Sequence, residues 1–213
     1  MTRVRKTSLA VLLAAVLAIT GLTMGLTTGT AFASTGLAQP AGQALNLHHV
    51  KWGDVAVPGG LCRVGHPIQL HNGDARLKHS GFGPLDVSET GPSYGNLGAG
   101  LPVAPQPVAA LQVWCSNQGG TAAGELAEGL VVFSGAGGRL HVLGTLTPQY
   151  RQHAGHVHIP FVAVRSIGGE RIVTTEFFYT GSDADCCPSG RALTTWHWNG
   201  HSFKPGRTTI VRS

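Results

Sequence analysis

The side chains best able to bind a metal are His153-x-x-His156-x-His158. On an extended strand His156 and His158 project to one side, about 6.5–7 Å apart, so both could reach a single ion. His48, His49, His197 or His201 could supply further ligands. No acidic residue accompanies the cluster, and the H-E-x-x-H spacing of helical zinc sites is missing. A solvated His-rich loop is the plainer reading, and His153, His156 and His158 stand only as secondary metal candidates.

Paired carboxylates would suit glycoside hydrolysis, with one acid and one base or nucleophile. Glu89, Glu125, Glu128, Glu170 and Glu176 are the acids from which such a pair could come. Glu125 and Glu128 are three residues apart and would share a face if residues 121–128 (TAAGELAE) are helical, as their composition suggests. That face reads as solvated. Glu176 stands in a β-branched, aromatic stretch and, if buried, needs a partner such as Arg165, Arg171 or Arg191. Ser189 follows Cys186-Cys187-Pro188 but has no G-x-S-x-G elbow around it, and a Ser between Pro and Gly is ordinary turn chemistry. No catalytic residue is assigned, and no cofactor is called for.

Two polar, Gly-containing loops beside cysteines, residues 115–124 and 183–191, are the most distinctive segments. Joined by a disulfide, they would form one rigid patch carrying Asn117, Gln118, Asp183, Asp185 and Arg191. Such a patch suits recognition of a peptide, a glycan or another envelope protein.

The disulfides are therefore central to the reading. Cys62, Cys115, Cys186 and Cys187 are an even set, which in an exported chain favours two bonds. Adjacent cysteines can bond only through an eight-membered ring, because Cα atoms across a trans peptide lie closer than the usual disulfide range. The expectation is that Cys186 and Cys187 reach Cys62 and Cys115 separately. Each bond would close a long loop and contribute roughly 4 kcal/mol in the chain-entropy model. No C-x-x-C spacing supports a zinc site instead.

The elements that would position these residues read as strands. Gly and Pro number 31 and 12 of 213 residues, charged residues only 25 (15 basic, 10 acidic), which disfavours helical bundles and coiled coils. The 42% apolar content still supports a core. Short apolar segments alternate with turn signals throughout. Asn72-Gly73 and Asn199-Gly200 read as type I′ hairpin turns, and residues 135–138 and Gly168-Gly169 as further turns. Thr194, Trp196 and Trp198 share one strand face, and Val173, Thr175, Phe177 and Tyr179 share another. Residues 91–107, with Pro102, Pro105 and Pro107, read as an exposed loop. The expected fold is all-β: a single disulfide-stapled domain of consecutive hairpins, as a sandwich or a curled antiparallel sheet, over residues 47–213.

Residues 1–33 read as a secretory signal peptide. Arg3, Arg5 and Lys6 precede a long apolar or small run, and Ala31-Phe32-Ala33 supplies a cleavage pattern. Residues 34–46 read as a flexible N-terminal segment. Cleavage would lower the net charge of +5 by three and leave no basic stripe, which excludes nucleic acid as a partner class. With no second long apolar run, no membrane contact is expected after cleavage, and the product should be a secreted, extracellular monomer.

Trp52-Gly-Asp-Val-Ala-Val-Pro, Tyr94-Gly-Asn-Leu, Trp114-Cys-Ser-Asn-Gln-Gly-Gly-Thr-Ala, Leu146-Thr-Pro and Asp185-Cys-Cys-Pro-Ser together resemble actinobacterial secreted proteins related to the LppP/LprE lipoproteins. The likeness spans roughly residues 48–212 and implies an envelope or exported location rather than an activity. Those lipoproteins carry a lipid-accepting Cys where this chain has Ala33-Ser34. The acidic, calcium-type loop common in the group has no carboxylate here between Gly95 and Ala110. The expected function is that of a non-enzymatic exported binding or structural module. The alternatives are a secreted hydrolase and a His-based metal-binding protein.

Overall fold

The computed structural model describes residues 44–98, 105–117, 124–150, 159–181, 183–184 and 186–211. Residues 1–33, read from sequence as a signal peptide, lie outside them, as do His153, His156, His158, Gln118 and Asp185.

The described residues form an all-β fold in three layers. The central layer is a five-stranded antiparallel sheet with strand order β3-β4-β5-β6-β7: β3 (Asp74–Leu77), β4 (Leu85–Leu97), β5 (Gln106–Ser116), β6 (Glu125–Ser134) and β7 (His141–Leu146). On one side packs an N-terminal layer of short 3₁₀ turns and a two-stranded ribbon, β1 (Ala56–Val57) with β2 (Ile68–Gln69). Its Leu47, Trp52, Val55, Val57, Ile68 and Leu70 meet Leu85, Val87, Leu111, Val113, Val131 and Phe133 of the central sheet. On the other side packs a second antiparallel sheet, β8 (Phe161–Gly168), β9 (Arg171–Phe178), β10 (Gly190–Trp198) and β11 (Phe203–Pro205), with β12 (Thr209–Val211) also paired to β10. Val162, Ile172, Trp196 and Trp198 there cover Val108, Ala110, Leu130, Val132 and Leu146.

A sheet covered on both faces buries residues of both parities. That is why Val108, Ala109, Ala110 and Leu111 are consecutively buried in β5, and why Leu130, Val131, Val132 and Phe133 are consecutively buried in β6. Strands β9 and β10, covered on one face, alternate instead. Ile172, Thr174, Glu176 and Phe178 are buried, as are Ala192, Thr194, Trp196 and Trp198, while Val173, Thr175 and Phe177 lie on the outer, half-buried face.

Several expectations are corrected. The disulfides are Cys62–Cys115 and the vicinal Cys186–Cys187. Cys62 ends a 3₁₀ turn of the N-terminal layer and Cys115 lies in β5, so packing of that layer on the central sheet brings their Cα atoms to 5.6 Å, within bonding range. Glu125–Glu128 are strand, not helix. Pairing of Ser116, Cys115 and Trp114 with Glu125, Ala127 and Glu128 outweighs the helical propensity of that stretch. The expected loop at 91–107 is strand at both ends: β4 continues to Leu97 and β5 begins at Gln106. Pro92 is accommodated because a bulge separates Glu89 from Pro92, with Gly91 at φ +76° and its N–H bound by Glu89 Oε2.

At Asn72-Gly73 both residues take positive φ, as a type I′ turn requires, but the flanking strands pair elsewhere apart from a single His71–Asp74 bridge. Asn199-Gly200 belongs instead to a four-residue connection between β10 and β11, in which Asn199 Oδ1 accepts from the N–H groups of His201 and Ser202. Residues 45 and 46, expected to be flexible, are tied down: Leu45 N–H donates to Gly135 O, and Asn46 caps a 3₁₀ turn.

Candidate functional site

Glu128 is the acid with the most unusual surroundings. Strand β6 directs it toward the second sheet, and it is 3% exposed. Its Oε1 accepts from Gln112 Nε2 of β5 at 2.6 Å and from Val162 N–H of β8 at 2.9 Å. Gln112 is oriented in turn by Thr90, whose hydroxyl donates to Gln112 Oε1. Burial pushes the Glu128 carboxyl up to about 7; the two hydrogen bonds oppose that shift and the nearby charge of Glu125 adds to it. Glu128 borders a cavity of about 390 Å³ whose walls include Arg63, Phe82, Thr147 and Pro160. An acid protonated near neutral pH beside a cavity has the properties of a general acid. The solvated Glu125–Glu128 face expected from sequence is corrected: on the strand Glu128 is buried, and the charge of Glu125 is the smallest of the influences on it.

Glu176 is fully buried, and among the described residues no arginine pairs with it. Its Oε2 accepts from the N–H groups of Gln149 and Tyr150, and its Oε1 accepts from the Thr194 hydroxyl. It anchors the segment leaving β7 to the second sheet. Asp183 does similar work in a loop, accepting from the N–H groups of Thr180 and Ser189 and from the Thr180 hydroxyl. Those donors, Ser189 foremost, hold its carboxyl well below the usual range. Ser189 shares its hydroxyl with Thr180 at 3.1 Å, so its contacts are those of a turn residue. Glu170 is exposed in the β8–β9 turn.

The expected recognition patch is not assembled by a disulfide. Cys115 is bonded to Cys62, so no covalent link joins the loops beginning at Cys115 and Asp183. Asn117 closes its own loop, donating its backbone N–H to Gly124 O. Arg191 lies on the outer face of the second sheet with its guanidinium 5.6 Å from the Phe177 ring. Cys186 and Cys187 are exposed in the loop that Asp183 clamps. Among the described residues no three His, Cys, Asp or Glu side chains gather as metal ligands; the His153 cluster is outside that set.

Gln112 is not legible as a site residue in the sequence, because a lone Gln in an apolar strand carries no motif. Its only available sign is its position amid the apolar run of β5, where a polar residue requires a buried partner. Comparison with protein-family models, curated proteins and solved structures finds no match to this chain.

Proposed function

We propose that this chain is an exported envelope or extracellular binding module rather than a catalyst. The observation that supports the reading is how its acids are employed. Glu176, Asp183 and Glu89 each accept backbone N–H donors within their own fold, leaving them as fasteners of loops rather than reagents around a common point. Catalysis needs nucleophile, base and orienting group to converge on one position. The Cys62–Cys115 bond is compatible with an oxidising compartment, and no helix among the described residues is long and apolar enough to cross a membrane.

A second reading, a secreted hydrolase, is favoured by Glu128, its raised pKa and its bordering cavity. One experiment separates the two. The purified protein is incubated with isolated cell-wall material, then sedimented protein and released soluble sugar or peptide are measured. The binding-module reading expects co-sedimentation without release. Release that disappears in Glu128→Gln would establish the hydrolase reading in its place.

A further inference from the structure

We propose that the cleft beside Tyr94 binds a neutral glycan, taking an uncharged pyranose or furanose ring as its ligand; this rests on the binding-module reading and names the ligand class. The cleft, about 460 Å³, lies where the N-terminal layer ends over β4 and β5, and its walls include Leu45, Asn46, His48, Tyr94, Asn96 and Pro107. That volume is within the range of small-ligand sites.

Each wall has a separate cause. Tyr94 and Asn96 share a face of β4 because residues two apart on a strand do. Gly95 between them faces the other way, so close to β8 that a Cβ there would lie 2.5 Å from Ile167 Cβ. Tyr94 is 39% exposed, an unusual position for a large ring, yet it is fixed. Trp52 Nε1 donates to its hydroxyl at 3.0 Å, and the His48 ring lies 4.0 Å away, tilted by 31°. His48 is set in turn by Asn46, whose Oδ1 accepts its backbone N–H. The Asn96 amide makes no side-chain hydrogen bond among the described residues and is exposed at the cleft.

The chemistry of this lining selects its ligand. A held aromatic ring offers an apolar plane with a polar tip, which suits the C–H face of a sugar. Amides both donate and accept, as hydroxyls require. Among the described lining residues there is no Asp, Glu, Lys or Arg, so a charged ligand would lose hydration without a counter-charge from them.

The test uses the full exported chain and a panel of neutral oligosaccharides (glucan, galactan, mannan and arabinan fragments), followed by NMR titration. Carboxylated and sulfated analogues and a proline-rich peptide serve as comparators. The expected result is saturable binding to a neutral member that shifts Tyr94 and His48 signals. Tyr94→Ala and Asn96→Ala should each weaken it by about tenfold, while Arg191→Ala on the second sheet leaves it unchanged. Asn96→Ala guards against misfolding, since its thermal midpoint should match that of the unaltered chain.

No saturable binding to any neutral member overturns the proposal. So does binding unaffected by both cleft substitutions, or preference for an anionic sugar or the peptide. Co-sedimentation with cell wall that survives both substitutions keeps the binding module and removes the cleft. Oligosaccharide binding without wall sedimentation keeps the cleft and identifies free sugar as the source, at the expense of the envelope assignment.

Discussion

Glu128 shows how a single buried acid sets a pH dependence. Its folded-state pKa of about 7 exceeds the ordinary 4.5, so the folded chain holds this proton more tightly than the unfolded one. Stability from this group is therefore greatest below about pH 4.5, falls as pH rises, and reaches its floor above pH 7. The full difference is about 3 kcal/mol. In Glu128→Gln the acceptor for Gln112 and Val162 can be retained and the ionisation removed. Between pH 5 and pH 8 the stability of the variant relative to the unaltered chain should rise by about 2–3 kcal/mol. Denaturant midpoints at a series of pH values measure this, and parallel curves for the two proteins would refute it. Asp183 has the opposite sense. Its lowered pKa means that its clamp on Thr180 and Ser189 is present at neutral pH and is lost only in strong acid.

Among the elements, the two disulfides differ in access and in the loop each closes. Cys62 and Cys115 are buried, 1% and 0% exposed, whereas Cys186 and Cys187 are both exposed. A thiolate reductant must reach a sulfur before exchange can occur. Mild dithiol treatment of the folded protein should therefore open Cys186–Cys187 first, placing alkylation at those two residues alone in a peptide map. Labelling of Cys62 at the same rate would contradict this. The bonds also differ in what they constrain. Cys62–Cys115 spans 53 residues and should contribute about 4 kcal/mol. The double variant Cys62→Ala/Cys115→Ala should lose about that much in a denaturant titration. The vicinal bond joins neighbours already tethered by one peptide, and its loss should leave the global midpoint almost unchanged. The strand pattern and several turn residues were legible in sequence because their signals are local. The disulfide pairing was not: it follows from where the N-terminal layer lands on β5, a contact between residues far apart in the chain.

At the scale of the whole molecule, the central sheet belongs to two cores at once. Leu111 and Leu130 pack against opposite layers but sit on hydrogen-bonded neighbouring strands. Losing either core removes one cover from the same sheet, so the layers should unfold together. Leu111→Ala should cost about 3 kcal/mol. Tryptophan fluorescence, which samples Trp52 in one core and Trp196 and Trp198 in the other, should shift with far-UV ellipticity to a common midpoint. Two separated transitions would show that the cores are independent. The close approach of β4 to β8 gives a second check. Gly95→Ala should lose about 1–3 kcal/mol, because Ile167 cannot retreat from the new methyl without moving β8.

The sequence by itself determined the all-β class, most turn positions and the alternation in β9 and β10, because period-two patterning and turn chemistry are written in neighbouring residues. It misread 125–128 as helix, and 91–97 and 106–107 as loop, since propensity and proline content say nothing of the strand that comes alongside. Only the tertiary structure decided that the central sheet is covered on both faces, that Cys62 meets Cys115, and that Gln112 and Val162 converge on Glu128. The Tyr94 cleft belongs to the same class. Asn46, His48 and Trp52 reach Tyr94 and Asn96 across more than forty residues of chain, a distance that packing closes and local sequence does not encode.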